Sequence, residues 1–116
     1  MSAGGAGETY PPTRHYVFLT LANYSQIALS TAVEPLRMAN IVVGREVYRW
    51  TIASLDGAAV AASSGLSMQP TVALDKVARF EVLFVCGGMQ VREATTPAVL
   101  QALRRLAERR VALGAL

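Results

Sequence analysis

The chain has 116 residues, 53% of them hydrophobic and 16% charged, with a formal net charge of +3 and a single cysteine. That length bounds it to one domain with a modest core; one cysteine excludes an internal disulfide and suits a reducing compartment; and no apolar run is long enough to span a bilayer. Arginines carry nearly all the positive charge without the dense mixed Lys/Arg stripe of a nucleic-acid surface, so the charge alone is little evidence for DNA contact.

The opening stretch MSAGGAGETYPPTRH is small, polar and Pro-containing and has no apolar h-region. Residues 1–14 are therefore expected to be a disordered tail and not a signal peptide. Residues 15–21, HYVFLTL, are β-branched and aromatic and predict a buried strand. Asn23-Tyr24-Ser25 predicts a turn or cap. From Ile27 to Val43, Leu29, Val33, Leu36, Ala39 and Val43 recur at helical spacing, with Ser30, Glu34 and Arg37 on the other face. Pro35 should kink this helix or mark its true start, since Thr31-x-x-Glu34 has capping-box form.

Residues 47–55, VYRWTIASL, predict a second strand. Asp56-Gly57 is a hairpin signal, and AAVAASSGLSMQP would then be a short β excursion. Residues 73–77 predict a helical turn, and residues 80–86, FEVLFVC, the most apolar strand. Thr96 should cap a helix with Pro97 at its first position. Val99, Leu103 and Leu106 are its core stripe; Arg109 and Arg110 in its last turn complement the dipole. VALGAL, residues 111–116, predicts a further parallel-type strand. This alternation implies right-handed crossovers and an α/β parallel sheet with helices on both faces, the strands near 15–21, 80–86 and 111–115 being neighbours.

Ligands bind at the carboxyl ends of strands in such sheets. Three segments end there: Leu21-Ala22-Asn23, Cys86-Gly87-Gly88 and Leu116. Gly87-Gly88 could aim backbone N–H groups into the crevice, or only turn the chain; the dipeptide alone leaves both open. Cys86 could be a nucleophile, but it sits in an apolar run and the sole histidine, His15, opens the first strand at the wrong end. It is read as a buried core residue. Glu34, placed one turn inside the first helix near the strand ends, is either a site acid or a cap partner. Tyr48 and Trp50 suggest a cation-binding pair, discounted by expecting them on opposite faces of their strand. RRLAERR is read as a solvated helix face and not a nucleic-acid face.

The ordered series FLTLANYSQIALSTAVEPLRMAN, YRWTIASLDG, SSGLSM, FEVLFVCGG and TPAVLQALRRLAERRVALGAL resembles the N-terminal domain of AraC-type transcriptional regulators of the glutamine-amidotransferase-like (ThiJ/PfpI) class. The subgroup includes regulators of arginine, carnitine and glycine betaine catabolism. The likeness runs from about Tyr16 to Leu116. It implies a flavodoxin-like parallel sheet, incomplete here, with residues 15–116 forming part of an effector-sensing domain. In that family the strand matching VALGAL runs into a nucleophile elbow with a cysteine just beyond the position of Leu116, so the chain is expected to be truncated before it. The early helical acid of the enzymatic relatives is matched by Ala28; Glu34 matches a second acid, and Gly87-Gly88 a pocket-lining glycine turn. The resemblance thus implies a non-catalytic domain with a ligand site at Asn23, Glu34, Gly87, Gly88 and Met89. It implies no cofactor, a small amine or amino-acid-like effector, a homodimer, cytoplasmic location without membrane contact, and DNA bound only through a C-terminal domain missing from this chain. The rival is a ThiJ/PfpI-superfamily hydrolase or hydratase truncated before its cysteine. A third reading is an interaction module that dimerises through its first helix.

Overall fold

A computed structural model describes residues 10–116. Five strands, β1 (Arg14–Thr20), β2 (Tyr48–Ser54), β3 (Val72–Ala73), β4 (Val82–Cys86) and β5 (Ala112–Ala115), form one sheet in the order β3-β2-β1-β4-β5. Every pairing is parallel, including β1 with β4 and β4 with β5, as the apolar runs imply. Three α-helices accompany them: α1 (Gln26–Val43), the short α2 (Val91–Ala94) and α3 (Pro97–Glu108); a 3-10 turn spans Leu74–Lys76. This is the fold class that the sequence predicts.

Strand alternation assigns the two faces. Phe18 of β1 and Cys86 of β4 point toward α1, where they cluster with Tyr24 and Leu29. Val17 and Leu19 of β1 and Leu83 of β4 point the other way, onto Val99, Ala102 and Leu106 of α3. Val17, Leu19 and Leu83 are each 0% exposed, which is why the central strands read as unbroken apolar runs. β1 is central: the chain builds β2 and β3 on one side of it and β4 and β5 on the other. The order therefore reverses between β1 and β4, and the crevice outside their carboxyl ends is the switch point of the sheet.

Several expectations on local structure are corrected. Ser25, not Thr31, starts α1: its hydroxyl accepts from the Ala28 N–H at 3.3 Å, and Gly44 closes the helix at φ 82°. The helix runs through Pro35. Thr31 donates its hydroxyl to the Ala28 carbonyl and Glu34 pairs with Arg37, so no capping box forms at 31–34. Asp56-Gly57 does turn, with Gly57 at φ 89° and the Ser54 hydroxyl accepting from its N–H at 3.0 Å. No hairpin follows, because the outer edge of β2 is taken by β3 running parallel to it. The excursion is reduced to single bridges between Ala61 and Ser67 and between Tyr24 and Ala62.

β1 begins at Arg14, and Thr13 already donates to the Glu46 carbonyl at 2.8 Å, so the expected tail ends earlier; residues 1–9 lie outside the described residues. β4 starts at Val82, two residues later than expected; Glu81 just before it accepts from the His15 N–H through its carboxylate at 2.9 Å and donates its own N–H to the His15 carbonyl at 3.2 Å. Thr96 caps α3 by accepting from the Val99 N–H, as predicted. Arg109 and Arg110 fall just past its last residue, with Arg110 in the left-handed region at φ 62°.

Candidate functional site

Two turns meet at the switch point. The β1–β4 ladder is extended by the Leu21 N–H bonding to the Cys86 carbonyl at 3.0 Å. β1 then turns through Ala22 and Asn23, with Asn23 at φ 62°, a conformation asparagine tolerates better than most residues. β4 turns through Gly87 and Gly88 into α2. The turns are joined by Ser25 N–H to Gly87 carbonyl at 3.0 Å and by the Asn23 side-chain Nδ2 donating to Gln90 Oε1 at 2.7 Å.

The glycines are there for closeness of approach. A Cβ on Gly88 would lie 2.2 Å from the Asn23 carbonyl oxygen, and one on Gly87 would lie 2.5 Å from Cγ2 of Val91. The first clash is against backbone, which cannot step aside as a side chain can. The glycines thus turn a corner and hold the β4 turn against the β1 turn.

Of the sequence-predicted site residues, Asn23, Gly87 and Gly88 are brought together, and Met89 beside them is fully exposed at 103%. Glu34 is not with them. Because α1 starts at Gln26, Glu34 is in its third turn, about 12 Å along the axis from the helix start. It is exposed and accepts from Arg37 at 2.7 and 2.9 Å, a hydrogen-bonded pairing that holds its carboxyl below the usual range. Placing it near the strand ends was an error that came from the misread helix start.

Two residues of this region escape sequence reading. Gln90 carries no pattern beyond being polar after a glycine turn. Tyr24, read as part of a turn, is 0% exposed and lies under the Ala62 bridge with a hydroxyl that meets no hydrogen-bond partner. Burial pushes its phenol up; the Met68 backbone opposes this and the Cys86 thiol adds to it, both more weakly.

Cys86 is 1% exposed, and burial pushes its thiol up to about 12. His15 is at the amino end of the sheet, its ring between the Arg79 carbonyl at 2.9 Å and the Thr51 hydroxyl at 2.7 Å. Among the described residues no group of three His, Cys, Asp or Glu could hold a metal ion, and no helix is long and apolar enough to cross a membrane. Tyr48 and Trp50 do not point to opposite faces: residues two apart in a strand share one. Tyr48 stacks on Tyr16 with ring centroids 5.7 Å apart, and Trp50 packs against the α1-side cluster.

Two open cavities lie away from the crevice between β1 and β4. One of about 470 Å³ separates the C-terminal half of α3 from the 3-10 turn, with Leu74, Phe80 and Leu106 among its walls. The other, about 400 Å³, lies between Val33 of α1 and the segment from Met68 to Val72.

The chain is similar to known proteins along most of its length. It is 47% identical over 79 residues to the HTH-type transcriptional regulator GbdR of Pseudomonas aeruginosa, covering 68% of this chain and 22% of the regulator. With the HTH-type transcriptional regulator CdhR of the same species it is 39% identical over 102 residues, covering 88% of this chain and 30% of that one. The chain thus spans less than a third of the length of these relatives. Among solved structures, an AraC family transcriptional regulator from Pseudomonas putida superposes with a TM-score of 0.75 at 25% identity, over 88% of this chain and 63% of that one. A DJ-1 superfamily protein from Agrobacterium tumefaciens and a ThiJ/PfpI domain protein from Brachyspira murdochii share the fold at TM-scores of 0.61 and 0.60, with 18% and 11% identity. They cover 90% of this chain and 53% and 59% of their own. No protein-family model matches the chain.

Proposed function

We propose, on the premise that this chain is a homologue of one segment of AraC-family, HTH-type transcriptional regulators with the ThiJ/PfpI-type fold, that it forms part of an effector-sensing domain. The effector is a small amine or amino-acid-like metabolite. It binds at the switch point between β1 and β4, against Asn23, Gly87, Gly88, Met89 and Gln90. The observation that carries this reading is the side-chain bond from Asn23 to Gln90, which ties the two turns across the crevice. A ligand with its own donors and acceptors can replace that bond and change the spacing of the turns. Since the Asn23 turn leads directly into the cap of α1, such a change reaches α1.

In a longer regulator containing this segment, the response is a population bias toward one arrangement, passed to a DNA-binding region elsewhere in the protein. The domain acts without catalysis. Support for that comes from Cys86, whose buried thiol stays protonated near neutrality, and from His15, held at the far end of the sheet. Dimerisation and a cytoplasmic setting belong to the same proposal.

Isothermal calorimetry of the chain against a panel of quaternary amines, amino acids and their N-methyl derivatives tests it. Saturable binding that Asn23→Ala weakens at least tenfold is the expected result. Binding that is indifferent to both Asn23→Ala and Gln90→Ala, or turnover of any compound in the panel, overturns it.

A further inference from the structure

The cavity between α3 and the 3-10 turn has two unlike ends. Every strand pairing is parallel, so element order fixes direction along it. Leu74 and Asp75 follow the carboxyl end of β3. Phe80 precedes β4, and the last turn of α3 leads back to β5, which puts both at the amino end of the sheet. Between the two ends the floor is apolar, running from Leu74 through Val77 to Phe80 and Leu106. At the amino end Arg105 and Arg109 form the wall, four residues apart and so on one side of α3. Neither enters an ion pair among the described residues, although Glu108 lies beside them. The volume of about 470 Å³ is that of a small-molecule site.

We infer that this cavity is a second binding site, for an apolar monocarboxylate with a hydrocarbon or aryl body of medium length. The body lies on Leu74, Val77, Phe80 and Leu106. The carboxylate lies on the two guanidinium groups, whose planar forks match its two oxygens. Charge decides which way round the ligand sits. The carbonyl end of α3 repels an anion with about half a unit charge, and Glu108 repels it with a full one. Two guanidinium groups outweigh both, so the amino end is left positive. Asp75 at the other end disfavours a second anion, so a dicarboxylate is refused. An alkylammonium meets like charge at the arginines, and an amino acid brings its ammonium against the same groups. An uncharged body of equal length gains the same apolar burial but forgoes the charge-assisted bonds. Site and ligand class both differ from those at the crevice between β1 and β4, so the inference does not depend on that reading.

NMR titration of the isotope-labelled whole chain with octanoate tests it, beside 1-octanol, octylammonium and suberate. Octanoate is expected to shift the amides of Leu74, Val77, Phe80 and Leu106 saturably, with Asn23, Gly88 and Gln90 silent. The alcohol, the ammonium and the dicarboxylate should each bind at least tenfold more weakly. Arg105→Gln with Arg109→Gln weakens octanoate at least tenfold and leaves 1-octanol unchanged. Arg104→Gln, on the same helix but outside the cavity, leaves octanoate unchanged. Val77→Trp fills the cavity and abolishes octanoate binding with both arginines in place. Circular dichroism confirms that each variant is folded. Shifts that do not saturate, 1-octanol binding as tightly as octanoate, or equal weakening by Arg104→Gln overturns the inference. Failure of effector binding at the crevice leaves these readouts unchanged.

Discussion

Gly88 carries the most sharply defined constraint in the molecule. Its missing Cβ would fall 2.2 Å from the Asn23 carbonyl oxygen, on backbone that is itself bonded to its surroundings. Gly88→Ala is therefore expected to destabilise by about 1–3 kcal/mol, as overpacking does, measured by urea unfolding. Gly87→Ala should cost less, because it meets the exposed side chain of Val91; equal costs would show that the backbone contact is not the limiting one. Cys86 gives a pH signature. Its folded thiol is pushed up to about 12 from an ordinary value of 9.0. Below pH 9 both states keep the proton and stability does not change on this account. Between 9 and about 12 the unfolded chain releases the proton and the folded chain holds it, so stability falls as pH rises. Cys86→Ala should flatten that decline above pH 9 and leave the neighbouring fall from Tyr24, raised in the same sense. A slow reaction with thiol reagents at neutral pH is the matching kinetic result. At this scale the sequence showed the glycine pair and the buried cysteine, because both announce themselves locally. Gln90 and the orphan hydroxyl of Tyr24 depend on which turns meet in space, and no local pattern encodes that.

Helix α1 shows how an element is fixed by few residues. Ser25 supplies its cap, and Asn40 ties its last turns to β2, accepting from the Val47 and Tyr48 N–H groups at 2.8 and 2.9 Å and donating to the Tyr48 carbonyl at 2.9 Å. Ser25→Ala is expected to cost about 1 kcal/mol and Thr31→Ala nearly nothing, a contrast that thermal unfolding reads directly. Asn40→Ala strands two donors at the start of β2 and should cost about 1–3 kcal/mol. On the other face, Leu106 is 6% exposed within the α3 cluster, and Leu106→Ala should cost about 2–5 kcal/mol. Periodicity revealed both long helices, since each has one buried stripe. Pro35 and the Thr31–Glu34 spacing misdirected the start of α1, because a capping box competes with any earlier cap and Ser25 wins. That reading set Glu34 one turn into α1, near the strand ends, whereas the structure puts it in the third turn. The Asp56-Gly57 turn misled in the same way: the turn chemistry is local, but what the next strand pairs with is decided by a free sheet edge.

For the whole molecule, a parallel sheet needs both faces covered and both edges managed. β5 is an edge strand here, with Leu113 43% exposed and Leu116 38% exposed. The isolated chain is therefore expected to be marginal, melting below about 60 °C and self-associating; a monomer with a sharp transition above that temperature would contradict this. The parallel order was legible from sequence because central strands buried on both faces leave no polar alternation. The account as a whole rests on the crevice between β1 and β4 being where an effector acts. NMR titration of the labelled chain with the amine and amino-acid panel tests that most directly. The account predicts saturable amide shifts centred on Asn23, Gly87, Gly88, Met89 and Gln90, continuing into the first turn of α1 and lost in Asn23→Ala. Shifts confined to the cavity walls at Leu74, Phe80 and Leu106 or at Trp50 and Met68, with the two turns silent, would contradict it.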